Sequence, residues 1–147
     1  MNWILKKFEE LTPFELYAIL QLRNAIFVVE QNCVYQDLDN KDLKSYHLMG
    51  YEKNLLVAYT RILPAGISYV ESSIGRVVVL QAARKNGTGK KLMQKSIENL
   101  FSLFGKMPIK IGAQLYLQKF YESLGFQQTS NVYLEDGIEH IEMLLTP

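Results

Sequence analysis

Gly87 and Gly89, with cationic residues on either side, lie between an apolar, β-branched segment at residues 74–80 and an amphipathic segment at residues 93–104. If the second segment is a helix, its first backbone N–H groups lack helical acceptors, and the helix dipole favours an anion there. Gly87 and Gly89 would let a phosphate approach the backbone, because neither carries a Cβ. The segment therefore predicts an anion-binding loop made of Arg84, Lys85, Asn86, Gly87, Thr88, Gly89 and Lys90.

Two common phosphate-binding patterns do not fit this loop. A P-loop has glycine where Arg84 stands and serine or threonine after the lysine, whereas here Lys91 follows Lys90. A dinucleotide-binding fingerprint has glycine where Leu92 stands. The spacing alone leaves a purely structural turn and a mononucleotide site open as alternatives.

The elements around the loop follow from hydrophobic periodicity. Residues 74–80 are nearly all apolar or β-branched, which is typical of a strand covered on both faces. The helix after the loop has its apolar residues at helical spacing, at Met93, Ile97, Leu100, Phe101 and Phe104. A short strand over residues 109–113 and a second helix over residues 117–124 follow, and Gly125 ends that helix.

The remaining elements are predicted from capping and turn signals. Residues 3–8 have strand character, and Thr12, Pro13 and Glu15 form a capping box that begins a helix. The irregular, acidic residues 28–44 predict a loop with a short helical turn. Residues 46–52 pair with 55–63 in a hairpin, and residues 127–135 pair with 138–145 around an Asp-Gly turn. The predicted fold class is α/β in the mixed α+β sense, with a locally parallel centre.

Composition limits the class of protein. At 147 residues with 48% apolar composition, we expect one domain over residues 1–147. Sixteen basic and fifteen acidic residues leave a formal charge of +1, so we expect no nucleic-acid or anionic-membrane partner. A single cysteine, Cys33, and the lack of an early apolar segment favour the cytoplasm. One cysteine and two separated histidines offer no metal-ligand spacing, so no metal is expected.

Two linked motifs resemble those of the GNAT acetyltransferase superfamily. Arg84-x-x-Gly87-x-Gly89 matches its (Arg/Gln)-x-x-Gly-x-(Gly/Ala) signature, between the strand and the helix where that family has it. Downstream, residues 120–126 match the family's Phe-Tyr-x-x-x-Gly-Phe element. Further segments look like the ElaA-type subgroup, among them Leu22-Arg23-x-x-Ile26-Phe27, Arg76-Val77-Val78-Val79 and Gly112-Ala113-Gln114. The resemblance covers nearly the whole chain.

The resemblance implies a GNAT-like fold with acetyl-CoA as cosubstrate and no metal. That fold has a central mixed, mostly antiparallel sheet with a parallel, splayed central strand pair, and helices on both faces. In the family, the loop equivalent to residues 84–89 holds the pyrophosphate of CoA. The strand equivalent to Val77, Val78 and Val79 bonds the pantetheine through its backbone. Gln114 stands near the family's usual asparagine, and we expect it to take that role.

The resemblance also implies an N-acyltransferase that acts by direct transfer through a tetrahedral intermediate. Such a reaction needs an acid for the departing thiolate, and Tyr121 matches the family's tyrosine. A phenol of pKa about 10 stays protonated at neutral pH yet can share its proton with a thiolate. The alternative for Tyr121 is a core aromatic. Glu30 and His140, directly or through water, are the candidates for the base.

The acceptor is expected to be a small-molecule or protein amine. Arg23 lies where the first helix should carry an apolar residue. Its guanidinium either pairs with a carboxylate such as Glu30 or Asp37, or helps to shape an acceptor pocket beside the acidic loop. In the second case that loop could attract a cationic amine. A non-catalytic acyl-CoA sensor or interaction module is the alternative function, and a homodimer stays open.

Overall fold

The computed structural model describes all 147 residues, which form two antiparallel sheets and three α-helices. The first sheet has the order β1-β2-β3-β4. Its strands are Asn2–Lys7 (β1), Tyr46–Glu52 (β2), Leu55–Leu63 (β3) and Ser73–Val79 (β4). The helix α1, Pro13–Arg23, lies between β1 and β2 in the chain.

The second sheet is built from the C-terminal part of the chain, after helix α2, Thr88–Phe104. Its order is β5-β8-β6, and β7 also pairs with β8. These strands and the third helix are Ile109–Gln114 (β5), Gln118–Glu122 (α3), Phe126–Gln128 (β6), Tyr133–Glu135 (β7) and Ile138–Leu145 (β8).

The two sheets meet at one parallel contact and then separate. Ser72 and Ile109 form a parallel bridge, and Lys110 N donates to Ser72 O at 3.0 Å. Beyond this point β4 and β5 share no ladder, so the two strands diverge. The predicted fold, with its parallel, splayed central strand pair, is confirmed.

Helices cover both faces of the first sheet because its strands are apolar on both faces. Met49, Tyr59 and Val78 pack with α1 in one cluster. Their neighbours Leu48 and Ala58 point the other way, as successive strand residues must, and pack in a second cluster with α2 and the second sheet. None of the helices combines the length and apolar character that a membrane span requires.

The first helix begins as predicted but ends later than predicted. Glu15 N donates to Thr12 Oγ1 at 3.1 Å, and Thr12 N donates to Glu15 Oε1 at 2.8 Å. After Arg23 the chain continues as a π-helix over Asn24–Glu30. The loop predicted from residue 28 thus begins only after Glu30, because a widened turn takes apolar side chains off the 3.6-residue period while the backbone stays helical. The short helical turn predicted within residues 28–44 lies at Lys41–Lys44.

The final hairpin also differs from its prediction. The single arm predicted over residues 127–135 is wrong: it is divided into β6 and β7 by residues 129–132. At the break, Ser130 Oγ accepts a hydrogen bond from Glu142 N at 2.8 Å, in place of a backbone carbonyl. The side-chain acceptor lets the chain leave β8 and return without a buried, unpaired amide.

Candidate active site

The predicted anion-binding loop presents a row of free amides. Gly87 is the N-cap of α2, has φ of 72°, and provides no side-chain cap. The amides of residues 85–90 donate to no protein acceptor, and the first helical bond runs from Lys91 N to Gly87 O at 3.1 Å. A Cβ on Gly87 would meet nothing within 4 Å, so the space above the loop is open. The loop is therefore suited to an anion.

A cleft of about 710 Å³ runs between the diverging strands β4 and β5. The loop contributes Arg84 and Gly89 to it. The predicted strand residues Val77, Val78 and Val79 line it as well, and their β4 edge that faces β5 has no strand partner. Backbone groups along that edge remain available to a ligand.

A β-bulge in β4 lies midway along the cleft. The pairing with β3 steps from Tyr59–Val78 to Arg61–Gly75, so two residues of β4 oppose one of β3. The extra residue is accommodated at Arg76, whose φ is +49°. A bulge bends its strand and changes where a side chain points. Here it brings the side chain of Arg76 to the cleft.

Tyr121 lines the same cleft as the loop. Its side chain is buried between the rings of Phe120 and Phe126, both in edge-to-face contact. The hydroxyl forms no hydrogen bond within the protein, although its residue borders the cleft. Burial raises the pKa of Tyr121, and Tyr116 adds to the rise, so the phenol is a proton donor at neutral pH.

The loop arginine is held by one of the candidate bases. Arg84 Nη2 donates to Glu30 Oε2 at 2.6 Å, and Arg84 Nε donates to Val79 O at 3.0 Å. Both side chains are partly exposed and line the cleft. Glu30 therefore binds the guanidinium group of Arg84, to which we expect an anionic ligand to bind. Lys85, Asn86, Thr88 and Lys90 belong to the loop but do not line the cleft.

His140 and Gln114 lie opposite each other on β8 and β5. His140 Nδ1 is 2.7 Å from Ile138 O, so this nitrogen carries the proton and donates to the carbonyl. Nε2 is then free to accept a proton, and it lies 3.5 Å from Glu135 Oε2. Gln114 exchanges hydrogen bonds of 3.2 and 3.4 Å with Gln31 across the cleft.

Arg23 and Asp37 lie behind the cleft and do not line it. Arg23 is fully buried, and it donates to Asp37 Oδ2 at 2.9 Å and to Asp42 Oδ1 at 2.8 Å. Of the two carboxylates predicted as its partner, Asp37 pairs with it and Glu30 does not. The network continues through Arg61, Asp39 and Arg76, and we call these six residues the ion-pair network.

Several cleft residues were not predicted as site residues from the sequence. They are Gln31, Lys41, Arg61 and Arg76. A positively charged residue inside an apolar strand, as at Arg61 and Arg76, was an available signal, because buried arginines need carboxylate partners. Cys33 donates to Asp136 O at 3.4 Å.

The comparisons with known proteins agree with this geometry. The family model of the acetyltransferase (GNAT) domain matches residues 20–147. Protein ElaA of Escherichia coli (strain K12) is 47% identical over 136 residues, which is 91% of this chain and 89% of that protein. Its crystal structure superposes with a TM-score of 0.91 and covers 99% of both chains.

Two further solved structures share the fold. An acyl-CoA N-acyltransferase from Pseudomonas aeruginosa has a TM-score of 0.93 at 41% identity and covers 99% of this chain and 100% of its own. An aminoglycoside 6′-N-acetyltransferase in complex with coenzyme A has a TM-score of 0.71 at 19% identity, over 97% of this chain and 96% of its own. This chain belongs to the GNAT family of acetyltransferases, whose members carry out acyl transfer that depends on acyl-CoA.

Proposed function

We propose that this enzyme transfers an acetyl or short acyl group from acyl-CoA directly to a primary amine. One observation carries the proposal: Gly89, whose free amide belongs to the row that begins α2, lines the same cleft as Tyr121. In this proposal the amides hold the diphosphate of CoA at one end of the cleft, and the phenol gives a proton to the departing thiolate. CoA supplies an acyl group activated as a thioester.

The cleft fits CoA in three ways. The amides of residues 85–90 donate to no other group, and Lys85 and Lys90 add positive charge next to them. Arg84 lies beside them at the cleft. Along the edge of β4 at Val77–Val79, Val79 O accepts from Arg84 Nε, and the other backbone groups on this edge have no strand partner and can bond the pantetheine amides. In this proposal Gln114 stays bonded to Gln31 and fixes the opposite side of the passage.

The reaction breaks one bond and forms another at the acyl carbon. The amine nitrogen attacks the thioester carbonyl, the C–N bond forms, and the C–S bond breaks from the tetrahedral intermediate. The amine loses a proton and the thiolate gains one, so no oxidant or reductant is needed. Tyr121 donates to the departing thiolate in this scheme. Burial raises the pKa of the phenol, so Tyr121 keeps its proton until the thiolate leaves.

We assign the base to His140 rather than to Glu30. His140 has its Nδ1 proton committed to Ile138 O, which leaves Nε2 as an acceptor. Glu135 is exposed and lies 3.5 Å from Nε2, so it can pass the proton on to solvent. Glu30 instead holds Arg84 until a diphosphate replaces it. Arg23 and Asp37 keep a positioning role, because they anchor the charged side of the cleft from behind.

Replacing His140 with glutamine should lower kcat/KM about tenfold to a hundredfold, because the amine proton loses its acceptor. Part of the loss should return above about pH 9, where more of an alkylamine of pKa near 10 is already neutral. The measurement is a pH profile of thiol release for both proteins. If the pH profile of the variant runs parallel to that of the parent protein, His140 does not accept the amine proton.

Replacing Glu30 with glutamine should tighten CoA binding. The partly exposed ion pair with Arg84 is worth up to about 1 kcal/mol, so release of the arginine should lower the Kd by up to about fivefold. Titration calorimetry with CoA measures the change. Glu98→Gln, at an exposed pair on α2 remote from the loop, is the matched control and should leave the Kd unaltered. Weaker binding by E30Q would contradict the role given to Glu30.

Replacing Gly89 with alanine should weaken CoA binding about tenfold while the fold stays intact. An added Cβ would lie 3.8 Å from the ring of Phe120, an ordinary contact, and alanine is the better helix former. The Cβ would, however, stand among the amides that face the diphosphate. Ser102→Ala, on the exposed end of α2, controls for the change in helix propensity. Equal CoA affinities in both variants would place the diphosphate elsewhere.

The experiment that tests the proposed function measures release of free CoA thiol from acetyl-CoA over a panel of amines. Mass spectrometry of the products then identifies an acylated amine. We expect thiol release that depends on an added amine and a product heavier by one acetyl group. CoA binding without thiol release from any amine would favour the acyl-CoA sensor instead.

A further inference from the structure

The cleft has a second end, remote from the anion-binding loop. Strand β4 runs from Ser73 to Val79, and its C-terminal end leads into the loop. The part of the cleft that β4 lines near Ser73, before the bulge at Arg76, therefore lies farthest from the loop along the strand. We call it the acceptor end. It is lined by polar side chains from several segments: Asp39, Lys41, Arg61, Ser68, Tyr69 and Arg76.

The aspartates near the acceptor end offer no free negative charge. Asp39 accepts from Arg61 through both carboxylate oxygens, at 2.8 and 3.0 Å. Burial opposes its charge, but Arg61, the backbone amide of Lys41 and the charge of Arg76 together hold the pKa of Asp39 at about 2. Asp37 and Asp42 are likewise engaged by arginines. The negative charge of the acidic loop is thus balanced by arginines of the same protein. The loop is therefore not a patch that attracts a cationic acceptor.

In the ion-pair network the positive charges of three arginines equal the negative charges of three aspartates. The positive charge of Lys41 is additional and has no carboxylate partner. Lys41 Nζ donates to Ser68 Oγ at 2.9 Å, and no carboxylate lies within 4.0 Å of it. Lys41 lines the cleft and is only partly exposed. An ammonium in such a place lacks both full hydration and a counter-ion, so an anionic ligand would stabilise it.

Arg76 adds a second free donor beside the acceptor end. Its Nε lies 2.7 Å from Asp37 Oδ1, and its Nη2 donates to Asp37 O at 2.8 Å. Its third nitrogen, Nη1, has no partner within the protein, while the side chain borders the cleft and retains 22% exposure. Anchoring by Asp37 and by the Tyr35 ring, 5.9 Å away, fixes the guanidinium. It is a positioned donor for an oxygen anion.

The opposite side of the cleft is acidic. Glu135 and Asp136 line it from the turn between β7 and β8, next to His140. Neither carboxylate is paired with an arginine or a lysine, and Glu135 faces only His140. One side of the cleft is thus suited to an ammonium group and the other to a carboxylate.

We infer that the acceptor is a compound of the amino-acid class, which carries a carboxylate as well as the amine that is acylated. Lys41 and Arg76 bind the carboxylate, and the amine faces the acidic turn beside His140. This inference rests on the proposed acyl transfer and adds the class of its acceptor.

The test compares acceptors that differ only in the carboxylate. Suitable pairs are phenylalanine and phenethylamine, histidine and histamine, and lysine and cadaverine. For each pair kcat/KM is measured by thiol release, with the mass of the product as confirmation. We expect the acid of at least one pair to react at least ten times better than its amine, because this preference requires only about 1.4 kcal/mol from the charged hydrogen bonds that Lys41 and Arg76 give to the carboxylate.

Variants of Lys41 assign the preference to the site. Lys41→Gln should lower the acid-to-amine ratio about tenfold, and Lys41→Arg should retain most of it because the charge stays. Lys44→Gln, on the same turn but exposed and outside the cleft, is the matched control and should leave the ratio unchanged. Thermal unfolding of each variant shows whether it is folded.

The possible failures are distinguishable. Thiol release that is equal or faster with the amines than with the acids would overturn the inference and leave the acyltransferase function standing. A ratio that Lys41→Gln does not change would overturn the binding site for the carboxylate. Absence of thiol release with every acceptor, despite CoA binding, would overturn the proposed function and this inference with it.

Discussion

Tyr121→Phe is expected to reduce kcat by at least about tenfold while the protein still folds and binds CoA. The hydroxyl is the only group removed, and it forms no hydrogen bond within the protein. The two aromatic contacts with Phe120 and Phe126 do not depend on it. The loss should therefore lie in the departure of the thiolate, since general acid catalysis commonly contributes a hundredfold or more.

Steady-state thiol release with a saturating amine measures the effect, and calorimetry with CoA measures binding. Tyr17→Phe is the matched control: it removes the same hydroxyl from an exposed side chain on α1 that does not line the cleft. We expect Y17F to retain the parent kcat within about twofold. Equal kcat values for Y121F and the parent protein would show that another group protonates the thiolate.

Arg23→Met should be the most destabilising single change considered, at about 3–5 kcal/mol. The side chain is fully buried, and its removal leaves Asp37 and Asp42 with less positive charge in a place that water does not reach. Methionine fills much of the volume, so the cost reflects charge rather than a cavity. Thermal or urea unfolding without ligand should show a fall in Tm of about 10 °C or more.

Arg84→Met is the matched control, because it also breaks an arginine–carboxylate pair. That pair is exposed to solvent, at 41% and 33% of the two side chains, so the cost should stay below about 1 kcal/mol. A loss of stability no larger for R23M than for R84M would mean that the ion-pair network contributes little to folding.

The order of the elements could be predicted because most of them have sequence signals within a few residues of one another. The capping box at Thr12, the apolar stripe of α2 and the Asp136-Gly137 turn each depend on residues a few positions apart. The π-helix could not be predicted in this way, since its period differs from that of an α-helix. The break at Ser130 also escaped, because its partner, Glu142, lies on another strand.

The anion-binding loop was easier to predict than the residues of the proposed acceptor end. The loop is one continuous segment, and its resemblance to a known family identified both the loop and Tyr121. The acceptor end is assembled from Lys41, Arg61, Ser68 and Arg76, which lie on four separate segments. The acidic residues 37–42 suggested a free negative patch. Their true state depends on three distant arginines, which only the folded chain brings to them.

A crystal structure of the protein with CoA is the decisive measurement. We expect the diphosphate to accept hydrogen bonds from the amides of residues 85–90, and the sulfur to lie within about 3.5 Å of the Tyr121 hydroxyl. In that complex Arg84 should have exchanged Glu30 for phosphate. A diphosphate bound away from α2, or a sulfur that Tyr121 cannot reach, would rule out the proposed arrangement.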